Sequence, residues 1–218
     1  MNQPSAPSGR GILWIGGGLI ALGVAIGVWI VMSGDAPFTI DTAWNDLLAA
    51  ATWPFFTQLS LFLNVAGGTL VGSLVVPVVG VTLLMLARRP WSAATLVIAI
   101  AASALVVQIL KNVFARGRPA DMTVLSDFGS YPSGHVANAA TVATMFVVLL
   151  PRVWTIIVAA AWVLLMAFSR TYLHAHWLTD AIGGVAVGVG VALVCVALLG
   201  RRLEPERRSA SSRIRSGG

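Results

Sequence analysis

The residues best equipped for chemistry lie in one stretch, 169–180, where Arg170, His174, His176 and Asp180 stand between two apolar runs. Ionisable groups at the margin of membrane-length apolar segments are expensive to place there, so their presence points to function. His176 and Asp180 are four residues apart, on one face if the segment is helical. A carboxylate so placed accepts a proton from one imidazole nitrogen, fixes the tautomer and frees the other nitrogen to attack. Arg170 adds a planar cation suited to phosphate. Two more groups complement this stretch. Lys111-x6-Arg118-Pro119 brings two further cations, and Pro132-Ser133-Gly134-His135 brings a second histidine.

Together these residue types suit phosphoryl transfer. Lys111, Arg118 and Arg170 can clamp phosphate oxygens and neutralise charge that builds up in the transition state. Pro132-Ser133-Gly134 reads as a helix start with Ser133 as its cap. Helix-terminal amides form an anion site, and Gly134 lets the backbone come close. His176, oriented by Asp180, is the candidate nucleophile, and His135 the acid that protonates the leaving oxygen and then activates water. With two histidines and three cations, no metal or other cofactor is needed.

Competing readings are weaker. An acyl-transfer triad of Ser133, His176 and Asp180 lacks a Gly-x-Ser-x-Gly elbow and leaves three cations surplus. A metal site from His135, His174, His176 and Asp180 matches no zinc spacing. A non-enzymatic carrier that binds anionic lipid headgroups needs no His176 and Asp180 in register. A phosphotransferase would use every residue of the hydrolase, so the motifs do not separate the two. His174 reads as an interfacial or packing residue, Arg116 as a solvated or headgroup-facing one, and Tyr172 and Trp177 as membrane-interface anchors.

The elements that hold these residues must be membrane helices. The chain has 218 residues, 57% of them hydrophobic and only 10% charged, whereas soluble domains carry about a quarter charged residues. Apolar runs at 12–32, 62–87, 91–110, 136–150, 153–168 and 181–199 give six candidate spans. The first is read as a retained helix and not a cleaved signal. Residues 33–61 read as a loop followed by an interfacial amphipathic helix, and 111–134 as a polar loop. The fold class is therefore all-α, an integral membrane bundle of six transmembrane helices. Its domain spans 12–200 with a motif core at 111–180, between a disordered cytoplasmic segment 1–11 and a basic, disordered cytoplasmic tail 201–218. Cys195 is the only cysteine, so no intrachain disulfide forms. Glycines at 16–18, 67–68 and 183–190 are placed to let helices pack closely.

The net charge of +6 would suit nucleic acid, but the basic residues sit at span ends and in the tail, as topology determinants do. With both termini cytoplasmic, ten of the 14 basic residues fall inside. Lys111, Arg116, Arg118 and Arg170 are the exceptions, and they lie in the two segments with the candidate chemistry. The three motif segments then share the outer face of a plasma (inner) membrane, towards the periplasm where there is one.

In order and interval, Lys111-x6-Arg118-Pro119, Pro132-Ser133-Gly134-His135 and Ser169-Arg170-x5-His176-x3-Asp180 resemble the three signature motifs of the type-2 phosphatidic acid phosphatase superfamily. The motif resemblance covers 111–180, and the hydropathy profile extends it to about residue 200. It implies Lys111, Arg118, Ser133, Gly134 and Arg170 as phosphate ligands, His135 as acid/base, His176 as nucleophile and Asp180 as its partner. Vanadium haloperoxidases share these motifs, but the short, membrane-rich chain looks like the lipid-phosphatase branch. The implied substrate is a membrane lipid phosphate or diphosphate such as undecaprenyl diphosphate, phosphatidate or phosphatidylglycerol phosphate. The implied intermediate is a phosphohistidine.

Overall fold

The computed structural model describes residues 9–68 and 70–216, those after Glu206 as backbone only. Eight α-helices and no strand occur among the described residues: α1 (Gly9–Met32), α2 (Thr39–Ala50), α3 (Pro54–Ala66), α4 (Val76–Leu86), α5 (Pro90–Phe114), α6 (Gly134–Leu149), α7 (Val153–Tyr172) and α8 (Leu178–Ser216). Four of them, α1, α5, α7 and α8, are long and apolar enough to cross a bilayer. The pair α3 and α4 makes a fifth candidate, bent by 46° at the break between them. The chain is thus a multi-pass, all-helical membrane protein. The run at 136–150 forms the shorter α6, 16 residues long.

Several elements differ from the sequence expectation. The run at 62–87 is not one straight span. Its first residues finish α3, Gly67 and Gly68 break the helix, and a π-helical turn at Val71–Val75 restarts it. Glycine is weak in helix interiors, and Pro77 at the start of α4 has no N–H to offer the preceding turn. The expected loop and single helix of 33–61 are two short helices, α2 and α3. α5 runs past residue 110 to Phe114, so Lys111 stands on its last turn; Ala115, with φ of 46°, ends it. α8 continues through the tail expected to be disordered as far as Ser216. Of the expected disordered segment 1–11, residues 1–8 lie outside the described residues, and 9–11 already belong to α1.

α8 is the post of the bundle, packed on α1, α5 and α6, while α7 bridges α6 and α3. Between lipid-facing helices hydrocarbon burial gives little drive, so close van der Waals packing and polar links between helices take over. A β-carbon at Gly184 would stand 2.7 Å from the Ser133 carbonyl oxygen, so side-chain-free positions let α8 lie against the start of α6. Gly16 and Gly190 do the same for α1 and α8, whereas Gly17 and Gly18 face open space. The Thr141 hydroxyl adds polar links, 2.9 Å from Ser103 Oγ on α5 and 3.2 Å from the Gly188 carbonyl on α8.

Candidate active site

The site assembles where the 115–133 loop meets the turn between α7 and α8. That turn is wound tightly about Arg170, whose carbonyl accepts the N–H groups of Ala175 at 3.1 Å and His176 at 3.3 Å. Arg170 and His176 are therefore held together by main chain. Thr123 clamps the loop to the turn, donating to the Leu173 carbonyl from its N–H at 3.1 Å and its hydroxyl at 2.9 Å.

His176 lies in the turn and not on α8. Its Nδ1 stands 2.8 Å from the Ser130 carbonyl oxygen and 3.6 Å from Asp180 Oδ2. The Nδ1 hydrogen bond expected to be accepted by Asp180 is thus accepted by the Ser130 carbonyl, and Asp180 remains in ion-pair range. Both neighbours only accept, which assigns the proton to Nδ1 and the lone pair to Nε2. Nε2 looks at Arg118 Nη1, 3.2 Å away. Burial, opposed by the nearby Asp180 carboxylate, lowers the imidazole pKa to about 4, so at neutral pH the ring carries its lone pair. Asp180 also accepts the Trp177 N–H at 2.9 Å, and its carbonyl accepts the Ser133 N–H at 3.0 Å, which ties the third motif to the second.

Ser133 occupies the N-cap position of α6 but makes no side-chain cap bond. Its hydroxyl is fully buried with no partner among the described residues, as is Arg170 Nε. Such orphaned donors are costly unless something else completes them. The helix that starts here leaves its first amides, Gly134 and His135 among them, outside the intrahelical ladder. Arg170 otherwise donates to the Asn64 side-chain carbonyl and, at 3.4 Å, to the Ser126 hydroxyl. His135 Nε2 faces the Asn64 backbone carbonyl at 3.3 Å.

Lys111 and Arg118 meet at Asp127, 3.2 Å and 2.8 Å from one carboxylate oxygen, and both also donate to the Gly129 carbonyl. Burial would raise the Asp127 carboxyl, but Lys111, Arg118 and His176 together hold it below the usual carboxylate range. A cavity of about 590 Å³ is lined by Gly134, His135, Arg170, His176, Ser126 and Asp127. A second, of about 610 Å³ and almost wholly apolar, runs between α4, α6 and α7, and His135 borders both. The eight residues singled out by the motifs therefore gather at one end of the bundle. Among the described residues no three His, Cys, Asp or Glu side chains form a cluster that would hold a metal ion.

Asn64, Ser130, Asp127 and Asp41 join the site without a motif to announce them. Asn64 has one signal, as a polar residue near the end of an apolar helix. Arg116 is neither solvated nor in contact with headgroups: it is buried against Asp41 and Asp180. His174 packs on α2, with Nδ1 2.6 Å from Asn45 Oδ1 and 3.1 Å from Asp121 Oδ2. Tyr172 is buried and accepts the Trp53 N–H at 2.9 Å.

The sequence profile of the PAP2 superfamily matches residues 92–204. The chain belongs to this superfamily. The PAP2 match runs from α5 into α8 and includes every motif residue, while Asp41 and Asn64 lie outside it. The chain is 33% identical over 113 residues to the phosphatidylglycerophosphatase B of Bacillus subtilis strain 168, covering 47% of this chain and 55% of the relative. It is 28% identical over 122 residues to a lipid A 1-phosphatase of Rhizobium johnstonii, covering 51% of this chain and 49% of that protein. It thus spans about half the length of the curated relatives it matches. In structure it resembles the crystallised transmembrane PAP2-type phosphatidylglycerolphosphate phosphatase of Bacillus subtilis, with a TM-score of 0.74 at 21% identity over 86% of this chain and 97% of that one. It also resembles Aquifex aeolicus LpxE, with a TM-score of 0.64 at 21% identity over 73% and 96% of the two chains. At that identity the likeness is one of fold.

Proposed function

We propose that this PAP2 protein is a lipid phosphatase that removes the terminal phosphate of a membrane lipid phosphate or diphosphate through a phosphohistidine on His176. The observation that carries the reading is the His176 ring, whose proton is held on Nδ1 by the Ser130 carbonyl while Nε2 faces Arg118. In the first step Nε2 bonds to phosphorus as the bond to the leaving lipid oxygen breaks, and His135 supplies that oxygen with a proton. In the second, water attacks phosphorus, His135 takes its proton, the N–P bond breaks and phosphate leaves. Lys111, Arg118, Arg170, the Ser133 hydroxyl and the Gly134 amide hold the phosphoryl oxygens throughout. The relatives named for lipid phosphatase activity support the substrate class, as does the apolar cavity beside His135, whose volume suits a hydrocarbon ligand. Undecaprenyl diphosphate, phosphatidate and phosphatidylglycerol phosphate are the substrates to try. Counting α6 and the bent pair as spans gives six crossings, with both termini cytoplasmic and the site on the outer face of the plasma membrane.

The test is phosphate release by purified protein from those three lipids. His176→Ala should lower turnover by roughly 10⁴-fold or more and His135→Ala by about 10²- to 10⁴-fold. Substantial turnover in a folded His176→Ala protein would sink the mechanism. Release that appears only with an added acceptor lipid would move the assignment to a phosphotransferase.

A further inference from the structure

Behind His176 lies a second charged cluster, shut off from solvent. Arg116 Nη1 donates to Asp180 Oδ1 at 2.5 Å and to Thr179 Oγ1 at 2.8 Å, and Arg116 Nη2 donates to Asp41 Oδ2 at 2.7 Å. The side chains of Asp41, Arg116 and Asp180 are each 0% exposed. Asp41 is fully occupied: it also accepts the N–H groups of Thr179 at 2.9 Å and Phe38 at 3.2 Å. Arg116 reaches His176 by a second route as well. Its carbonyl accepts the Ser130 N–H at 2.9 Å, and Ser130 turns its own carbonyl to His176 Nδ1. Both groups that flank the Nδ1 proton are thus held by Arg116, and Arg116 is held by Asp41.

We infer that Asp41 and Arg116 are positioning residues for the His176 nucleophile, Asp41 setting how much negative charge Asp180 keeps and Arg116 fixing where that charge stands. The inference rests on the reading of His176 as nucleophile. Burying ion pairs is costly, and a simple apolar contact would join α2 to α8 with less penalty. A function explains the expense. A single Arg116–Asp180 pair would be neutral and would give little to an imidazole that becomes cationic as it bonds to phosphorus. With Asp41 on the far side, one guanidinium is shared between two carboxylates, and the cluster keeps one net negative charge facing His176. The planar fork of arginine can hold both carboxylates at once, which a lysine ammonium does not reproduce.

Steady-state phosphate release by the full chain in detergent, followed across pH, separates charge from geometry. His176 is faced by Asp180, Arg118, Arg170, Asp127 and His135, none of which is changed in the variants. Asp41→Asn keeps the shape and removes the charge. Its kcat should fall roughly 10- to 100-fold, the range for partners one step behind a reacting group, with KM within about twofold. The acid limb of its kcat profile should move down by about half a pH unit, because a weaker field disfavours the imidazolium. Arg116→Lys keeps the charge and loses the fork: kcat should fall at unchanged KM with the acid limb unmoved. If Asp41→Asn does not fold, the Arg116→Lys result alone decides. Wild-type kcat and pH profile in Asp41→Asn overturn the inference, as does a loss matched by a rise in KM and a lower melting temperature. His176→Ala is run beside them: activity in it removes the nucleophile reading and the inference together, whereas an inactive His176→Ala with a wild-type-like Asp41→Asn removes the inference alone.

Discussion

Asp127 offers Lys111 and Arg118 a carboxylate oxygen at 3.2 Å and 2.8 Å, the distances a phosphate oxygen would take. Its side chain is 57% exposed, so it can swing away with little loss of packing. Carboxylate and phosphate then compete for the same donors. Asp127→Asn removes the competing charge, and vanadate, a mimic of the phosphoryl group in flight, should inhibit this variant at roughly tenfold lower concentration, the change expected from about 1.4 kcal/mol. Unchanged or weaker inhibition would reject the competition. At this scale the titrating residues were legible from type and spacing, because imidazoles, guanidiniums and carboxylates are conspicuous in an apolar chain. Their holders were not. Ser130 acts through a carbonyl that every residue possesses, Asn64 meets Arg170 across 106 positions, and Asp41 meets Arg116 across 75.

Helices are positioned here by what is missing from their surfaces. A β-carbon at Gly188 would run into the Ala137 backbone, and one at Gly184 into Ser133. The α6–α8 crossing therefore sets the distance between the second and third motifs. Gly188→Leu should cost about 1–3 kcal/mol and lower the melting temperature in detergent by about 3–10 °C. Gly17→Leu, with nothing near it, should leave the melting curve unmoved. Equal effects of the two substitutions would show that the crossing is not packed as described. The apolar runs were readable because their length exceeds what a soluble core requires. The kink at Gly67 was less so, since hydropathy averages over a helix break. That break is functional in its effect: it ends α3 near Asn64, leaving that residue's carbonyl for His135 and its side chain for Arg170.

For the molecule as a whole, the proposed orientation sets the 115–133 loop outside and the α4–α5 connection inside. With Cys195 replaced by serine, Ala120→Cys should react with a membrane-impermeant maleimide on intact cells, and Ala87→Cys only after permeabilisation. The reverse pattern would invert the topology. The balance of arginines is the ground for proposing this side assignment, whereas the two cavities meeting at His135 could not be foreseen, because they exist only where α4, α5, α6 and α7 come together. For the substrate proposed above, their meeting would sort the molecule the way two immiscible solvents would. The phosphate end of that lipid belongs in the chamber that holds Arg170 and His176, the hydrocarbon in the apolar one, and the junction between them falls along the wall that His135 shares with Gly67, Pro77, Ile100 and Asn138. On the proposed function, the tails would be recognised as hydrocarbon alone, and discrimination among lipids would fall on the few atoms that bridge the boundary.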